Sequence, residues 1–244
     1  MLTIVLIAIA AFVATLLGGL FAIKLRDKLH LVLGFSAGAV IAVALFDLLP
    51  ESIELGSKYF AVSTMTSIVA VGFLLYLILD RYIFLHTHIQ DVDDLHDHRS
   101  QRGTLGAGTL SIHSFLDGVA VGLAFQISMS VGVIVAIAVL VHDFSDGINT
   151  VSYILKGGGD KKRALKWLLV DAGAPVIGVC STFFFTLPPQ SLSVVLALFC
   201  GFFLYVSASD LIPESHHAHP KFLTTFMTIL GAGILYAAIQ LAGV

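Results

Sequence analysis

The sequence HSFLDG at residues 113–118 is repeated 29 residues later as HDFSDG at residues 142–147. Both copies lie in the middle of long apolar runs, where ionisable groups are costly and usually serve a function. Because four residues make about one helical turn, the histidine and the aspartate of each copy share one face of a helix. The repeated pattern therefore predicts two imidazoles and two carboxylates that meet inside a membrane, as in a divalent-metal site.

The composition excludes an ordinary soluble domain. Hydrophobic residues make up 57% of the 244 residues and charged residues only 12%, and the mean hydropathy is +0.97, whereas about 25% of residues are charged in soluble domains. We predict an all-α integral membrane protein in which residues 1–244 form a single membrane domain. Eight stretches are long enough to cross a bilayer, and they lie at about residues 2–23, 31–50, 59–79, 104–127, 131–155, 164–187, 191–212 and 222–244.

The basic residues predict the orientation of these spans. Twelve of the thirteen lysines and arginines lie in or beside the loops after spans 1, 3, 5 and 7, and only Lys58 lies on the other side. Because cytoplasmic loops carry an excess of basic residues, we expect these four loops in the cytoplasm and both termini outside it. The loop after span 3, residues 86–102, is rich in His and Asp and could bind metal weakly or simply be a solvated loop.

A second repeat relates the two ends of the chain. Residues 47–52 read DLLPES, residues 210–215 read DLIPES, and a glycine precedes each aspartate by nine residues, at Gly38 and Gly201. Spans 2 and 7 are therefore related, as are spans 4 and 5, and the members of each pair run in opposite directions. This pattern indicates an inverted repeat of three spans, a central pair and three spans, which is typical of secondary transporters.

The central pair carries the predicted chemistry. In antiparallel helices His113 should lie level with Asp146, and Asp117 level with His142, around one ion. Imidazole nitrogen with carboxylate oxygen suits Zn(II), Fe(II), Mn(II) or Cd(II) better than Mg(II) or Ca(II). The alternative is a structural hydrogen-bonded network of the same four residues that holds the two helices together.

These features resemble the ZIP (Zrt/Irt-like) divalent-metal transporters over essentially the whole chain. In that family spans 4 and 5 typically carry His-Asn-x-Pro-Glu-Gly-like motifs that bind metal near the membrane midplane. The resemblance implies metal ligands at His113, Asp117, His142 and Asp146. Here aspartate replaces the frequent glutamate, and Leu116 and Ser145 stand where proline often kinks the helices.

The resemblance also bears on a second ion. Ser114 stands in place of the family's asparagine, and Asp143 can supply an oxygen at the equivalent position of span 5. Family members often use a glutamate directly before a proline in span 6, but here Ala174 precedes Pro175 and the nearest carboxylate is Asp171. The resemblance therefore implies one ion and leaves a second one open.

Two further carboxylates stand near the ends of their spans. The predicted topology places Asp47 near the outside and Asp210 near the cytoplasm, where we expect them to attract or relay the ion at the two mouths, with Glu51 and Glu214 beyond them. The alternative is that each is a helix-end carboxylate that reaches water. His216, His217 and His219 follow in a predicted cytoplasmic loop, where they could take part in release of the ion.

The predicted function is transport of a divalent transition metal, zinc before iron, manganese or cadmium, into the cytoplasm by alternating access. We expect a multi-pass protein of the cell membrane with a metal ion and the lipid bilayer as partners, no prosthetic group and no nucleic acid, and a homodimer is compatible with the sequence. An intramembrane zinc-dependent hydrolase is the alternative, since a bound metal could activate water, but an enzyme has no need of symmetric mouths. An exporter of the cation diffusion facilitator type would usually have six spans and a cytoplasmic domain.

Overall fold

The computed structural model describes residues 2–24, 29–88, 97–217 and 222–242, and nearly all of them are helical. The α-helices of these residues are α1 (Leu2–Lys24), α2 (Leu29–Val43), α3 (Leu49–Gly56), α4 (Val62–His88), α5 (Asp97–Ile127), α6 (Met129–Lys156), α7 (Lys161–Ser181), α8 (Pro189–Tyr205), α9 (Ile212–His217) and α10 (Phe222–Ala242). Two π-helical segments, Ala44–Leu48 and Val206–Leu211, join α2 to α3 and α8 to α9, and a 3-10 turn, Thr182–Phe184, follows α7.

Within the described residues, these elements form eight helices that are long and apolar enough to cross a membrane. We number them as spans 1–8, which are α1, α2 with α3, α4, α5, α6, α7, α8 with α9, and α10. The number agrees with the sequence prediction, and the protein is a multi-pass, all-α membrane protein. Spans 2, 5 and 7 are the most buried, since 67%, 72% and 67% of the residues in their most apolar 18-residue stretches are buried. The corresponding shares are only 28%, 17% and 22% in spans 1, 3 and 8, which face outward.

The sequence prediction assumed that span 2 ends at Pro50. In the structure, neither the DLLPES motif nor the DLIPES motif ends its span at the proline. Pro50 lies in the first turn of α3, directly after the first π-helical segment, and Pro213 has the same place in α9. Proline lacks the N–H that would continue an α-helical ladder, and a π segment changes the hydrogen-bond register at that point. The backbone N–H groups of Leu49 and Ile212 accordingly bond to Ala44 and Ser207, five residues back.

The predicted loop at residues 86–102 is shorter in the structure. Helix α4 continues to His88 and α5 already begins at Asp97, so both ends of the predicted loop are helical. Apolar residues continue in the sequence to Leu85, which extends the helical pattern beyond the predicted end of span 3. Residues 89–96 and His219 lie outside the described residues, so their predicted roles in metal binding or release stay predictions. His216 and His217 were expected in a loop, but they are the last residues of helix α9.

The spans pack in two groups. In the first group, spans 1 and 4 both pack on spans 5 and 6, and in the second group span 2 packs on spans 7 and 8 while span 3 packs on span 7. Contact between the groups is mainly that of span 2 with span 5. The largest apolar cluster includes residues of both groups, among them Val40 of span 2, Val135 of span 5 and Phe203 of span 7.

Glycines set the close approaches within the first group, and they occur in matched pairs. A Cβ on Gly18 would collide with the carbonyl of Phe144, and one on Gly147 with that of Thr15, so spans 1 and 5 meet backbone to backbone. Spans 6 and 4 meet in the same way, through Gly178 with Phe115 and Gly118 with Pro175. Phe115 and Gly118 occupy the same places in their motif as Phe144 and Gly147.

The second group repeats this arrangement. Gly38 of span 2 meets the carbonyl of Thr228 in span 8, and Gly231 meets that of Phe35. In the same way Gly201 of span 7 lies against the backbone carbonyl of Val69 in span 3, and Gly72 of span 3 lies against that of Leu198 in span 7. Small residues allow helix backbones to approach closely in membranes, where packing rather than water drives association.

Candidate metal centre

The two central helices are joined by a very short turn. Span 4 ends at Ile127, Ser128 alone follows, and span 5 begins at Met129. Ser128 has an extended conformation, and its hydroxyl accepts a hydrogen bond from the backbone N–H of Val131 at 3.1 Å, which is a helix N-cap. The turn makes the two helices antiparallel neighbours, so the first motif faces the second in reverse order.

The four motif side chains meet in one buried cluster, which we call the His/Asp cluster (His113, Asp117, His142 and Asp146). Their possible ligand atoms all lie within 4.8 Å of one another. Nε2 of His142 and Nε2 of His113 lie 3.1 Å and 3.2 Å from the same carboxylate oxygen of Asp117, and Nε2 of His113 lies 3.6 Å from Asp146 Oδ2. The side chains are at most 3% exposed. The cross-helix pairing is the one expected from antiparallel helices.

The two histidines differ in the hydrogen-bond partner of Nδ1, the ring nitrogen that does not contact the carboxylates. Nδ1 of His142 lies 2.9 Å from the carbonyl oxygen of Ala138, one turn earlier in the same helix. A carbonyl oxygen only accepts, so this bond places the proton on Nδ1 and leaves the Nε2 lone pair for a cation. Nδ1 of His113 instead lies 3.2 Å from the hydroxyl of Tyr76 in span 3.

Ser114, Thr150 and Asp171 form a second polar group next to the cluster. The hydroxyls of Ser114 and Thr150 donate to the two carboxylate oxygens of Asp171 at 2.9 Å and 2.7 Å. All three residues are fully buried. Asp171 of span 6 is thus tied to spans 4 and 5, while it lies outside the group of atoms that could bind one common ion.

Asp143 is buried between these two groups. Neither of its carboxylate oxygens has a hydrogen-bond partner, and it is near enough to interact electrostatically with His142, Asp117, Asp146 and Asp171. A buried carboxylate without a partner is costly. Asp143 is therefore an oxygen donor available to a cation, although it does not belong to the His/Asp cluster itself.

Span 7 closes the cluster with aromatic rings. The ring of Phe202 lies 4.9 Å from that of His113, and the ring of Phe203 lies 5.8 Å from that of His142, as centroid distances. These adjacent residues cover one histidine each, which excludes water from the site and strengthens every electrostatic interaction in it.

Comparison with known proteins agrees with this arrangement. The family model described as ZIP Zinc transporter matches residues 102–238, more than half of the chain. The chain belongs to the ZIP zinc transporter family. This family consists of transporters and not of enzymes, so an intramembrane hydrolase is not favoured.

Individual relatives match over different lengths. Zinc transporter ZupT of Corynebacterium aurimucosum is 23% identical over 245 residues, which cover 93% of this chain and 92% of ZupT. Zinc transporter ZIP6 of Homo sapiens is 30% identical over 107 residues, 43% of this chain but only 14% of ZIP6. Metal cation symporter ZIP8 of Rattus norvegicus is 28% identical over 133 residues, 51% of this chain and 28% of ZIP8. The chain therefore spans only a small part of some ZIP relatives and nearly all of another.

The two carboxylates predicted at the mouths of this ZIP protein lie in the π-helical segments. Asp47 is fully buried, and neither of its carboxylate oxygens has a hydrogen-bond partner. For Asp210 the structure describes the backbone, which is part of Val206–Leu211, and the side chains of Asp210 and Glu214 are outside the described residues. Asp47 is not one of the four residues of the His/Asp cluster.

Sequence reasoning missed several residues that contact this site, namely Tyr76, Thr150, Phe202 and Phe203. Thr150 could have been found, because it lies one turn beyond Asp146 on the same helix face. The three aromatic residues stand in otherwise apolar spans, where such residues usually only pack in the core. Only the way the helices associate shows that they reach the histidines.

Proposed function

We propose that this ZIP protein transports divalent transition-metal ions into the cytoplasm, with zinc as the first candidate and iron, manganese and cadmium as the others. The observation that carries the proposal is the buried His/Asp cluster on two antiparallel helices. Family membership supports it, since ZupT and ZIP6 are named zinc transporters and ZIP8 a metal cation symporter.

The charge of the cluster favours a dipositive ion. Residues 104–155, which include both motifs, contain the two carboxylates of the cluster and no lysine or arginine. Two ionised carboxylates in a low-dielectric interior need compensation. A divalent ion neutralises both at once. A purely structural network would have to rely on protons for the same purpose.

The distances also fit a first-row transition metal. Nitrogen and oxygen ligands bind Zn(II) at about 2.0–2.2 Å in a tetrahedron, and ligands at that distance lie roughly 3.3–3.6 Å apart. The observed nitrogen-to-oxygen separations of 3.1, 3.2 and 3.6 Å fall close to this range. Two imidazoles with two carboxylates suit zinc, iron or manganese, which such sites select by geometry and availability.

We further propose that the fold is an inverted repeat, in which spans 1–3 correspond to spans 6–8 and span 4 to span 5. The matched glycine contacts support it. Under this correspondence the contact of Gly18 with Phe144 is related to that of Gly178 with Phe115, and the contact of Gly38 with Thr228 to that of Gly201 with Val69. Together with the basic residues of the loops, the repeat would place both termini on the extracytoplasmic side of the cell membrane.

Alternating access would use the two groups of spans. The metal-binding group, spans 1, 4, 5 and 6, would move against a frame made of spans 2, 3, 7 and 8. Tight glycine contacts lie within each group, and contact between the groups is concentrated on spans 2 and 5. Rigid-body movement of one bundle of helices against the other is the usual form of alternating access in repeat transporters.

Asp47 and Asp210 would serve the two mouths in this mechanism. Asp47 is buried without a hydrogen-bond partner, as expected of a carboxylate that meets a passing cation, and it lies in a π-helical segment, a feature frequent at functional sites. If uptake by Asp47→Ala has the affinity and rate of the unmodified protein, Asp47 does not belong to the path.

A second ion would have to use Ser114, Asp143 and Asp171. Asp143 has two oxygens without partners, but Asp171 already accepts two hydroxyl donors. Each of these hydrogen bonds uses one lone pair of an Asp171 oxygen, so Asp171 has less capacity left for an ion than Asp143. We propose one principal ion at the His/Asp cluster, with Asp143 as its neighbouring oxygen donor.

The test is metal uptake by the purified protein in liposomes. Uptake of radioactive zinc, iron and manganese is measured beside the His142→Ala/Asp146→Ala double variant. We expect zinc uptake that saturates with concentration, and uptake near that of empty liposomes for the double variant. Light scattering of the purified protein in detergent, before it is placed in liposomes, shows whether it is a homodimer.

A matched control separates loss of the site from loss of the fold. Thr66→Ala and Ser67→Ala change exposed hydroxyls that bond only within span 3, and this double variant should transport normally. Absence of flux with the unmodified protein, or equal flux with the His142→Ala/Asp146→Ala variant, would refute the proposed transport site.

A further inference from the structure

Tyr76 of span 3 reaches the His/Asp cluster. Its hydroxyl lies 3.2 Å from Nδ1 of His113, and its ring is half-buried. Span 3 otherwise faces outward, since only 17% of the residues in its most apolar 18-residue stretch are buried. The contact therefore connects an outer helix of the frame to a candidate metal ligand of the moving group.

The position of the phenol is set by the frame. The Tyr76 ring packs edge-on against Phe202 and Tyr205 of span 7, with centroids 4.5 Å and 5.2 Å apart. Such edge contacts are favourable aromatic arrangements. Phe202 in turn lies against the His113 ring. Spans 3 and 7 thus hold the hydroxyl in place independently of span 4.

This contact decides which nitrogen of His113 is free. With Nδ1 directed at the phenol, Nε2 points to the carboxylates of Asp117 and Asp146, at 3.2 Å and 3.6 Å. A histidine that ligates a metal almost always uses its other nitrogen in a hydrogen bond that fixes the ring. His142 obtains this bond from Ala138 of its own helix, and His113 obtains it from a different group of spans.

We propose that Tyr76 is a positioning residue for metal binding, which holds the His113 imidazole with Nε2 toward the ion while spans 4 and 5 are docked on the frame as in this structure. The proposal rests on the proposed transport function. When the ion is bound to Nε2, Nδ1–H donates to the Tyr76 oxygen, so the bond persists with the ion present. Movement of span 4 away from span 3 breaks it and leaves His113 without its support.

The predicted consequence is an affinity that depends on the docking of the two groups. His142 keeps its support wherever its helix moves, because Ala138 moves with it. His113 loses its support as soon as the groups separate. The ion would then be held more weakly in the alternate arrangement, which favours its release there.

The experiment measures metal affinity in the purified full-length protein with Tyr76→Phe, which removes the hydroxyl and keeps the ring. Zn(II) binding is followed by calorimetry, and Co(II) binding by its visible absorption, which reports the ligand geometry. We expect a loss of affinity of about 10- to 100-fold, the usual effect of removing a hydrogen-bond partner of a metal-ligating histidine, with a changed Co(II) spectrum. In liposomes KM should rise while the maximal rate falls less.

Tyr236→Phe is the matched control, since Tyr236 is 45% exposed on span 8 and packs on Phe46, and we expect no change in affinity. In a His113→Ala background, Tyr76→Phe should have no further effect, because a residue that acts through His113 cannot act without it. Tyr76→Met removes the same hydroxyl and replaces Tyr76→Phe if that variant is not monodisperse.

The outcomes separate the two proposals. Unchanged Zn(II) affinity and Co(II) spectrum in Tyr76→Phe, in a protein that otherwise transports zinc, would overturn the positioning role alone. An equal loss of affinity in the His113→Ala background would do the same, because it would show a general structural effect. If the unmodified protein binds no metal and gives no flux, the proposed function itself fails.

Discussion

Two places where the central helices meet their neighbours would correspond under the proposed inverted repeat, yet they differ in kind. In one place the hydroxyl of Ser36 in span 2 donates to the carbonyl of Val141 in span 5 at 3.0 Å, and it lies 2.9 Å from the hydroxyl of Ser145. We call this contact the serine seam. In the other place the aligned positions are Phe199 and Leu116. They line a groove of about 260 Å³, the apolar groove, between spans 3, 4 and 7.

The difference shows how the central pair is held in this structure. The serine seam joins span 2 to span 5 by directional hydrogen bonds, whereas the apolar groove leaves space between span 4 and span 7. Hydrogen bonds between membrane helices contribute only about 0.6 kcal/mol on average, so the seam can part at small cost. Under the proposed movement, the groove would close as the seam opens.

The largest effect is expected at the glycine contacts that are alike in the two halves of the proposed repeat. Gly118→Ala and Gly147→Ala would each place a Cβ against a neighbouring backbone carbonyl, that of Pro175 or of Thr15. A backbone cannot move aside as a flexible side chain can, so we expect each variant to lose about 3 kcal/mol or more, the upper end for overpacking. Thermal unfolding in detergent should show similar losses for both.

Gly173→Ala is the control, because a Cβ at Gly173 would meet nothing within 4 Å. It should be neutral or should stabilise the protein by up to about 1 kcal/mol through helix propensity. If one of the two glycine variants is tolerated and the other is not, the close approaches are not equivalent and the proposed repeat relation of spans 1 and 6 loses support.

The sequence was sufficient to predict the eight helices and the meeting of the four motif residues. Long apolar runs report their helices directly, and the His-x-x-x-Asp spacing places the side chains on one helix face. The antiparallel order of spans 4 and 5 then makes His142 the neighbour of Asp117, as the 3.1 Å contact shows. These features depend on local pattern and on chain direction alone.

Other features depend on how helices associate, and the sequence could not predict them. Pro50 was expected to end span 2, but the π-helical segment before it lets the helix continue to Gly56. Tyr76 in an apolar outer helix has no local feature that distinguishes it from an ordinary packed aromatic residue. The serine seam likewise joins residues more than 100 positions apart.

A smaller effect is expected at the serine seam. Ser36→Ala removes both hydrogen bonds and should lower the free energy of unfolding by about 1 kcal/mol, measured as a lower thermal midpoint. Ser67→Ala is the matched control, since its hydroxyl bonds only to Ser63 of its own helix. The Ser36→Ala/Ser145→Ala double variant should recover part of the loss, because no buried hydroxyl then lacks its partner. An additive loss would show that Ser145 has other partners that matter more.

The smallest effect on stability is expected in the apolar groove. Leu116→Phe adds a larger side chain where about 260 Å³ is available, so the free energy of unfolding should change by less than about 1 kcal/mol, below the usual cost of overpacking. Transport should nevertheless slow, because a filled groove opposes the approach of span 4 to span 7. Leu169→Phe, at a residue of span 6 that is 54% exposed, should leave both stability and uptake unchanged. If Leu116→Phe transports at the normal rate, the groove does not close during transport, and the difference between the two contacts is structural only.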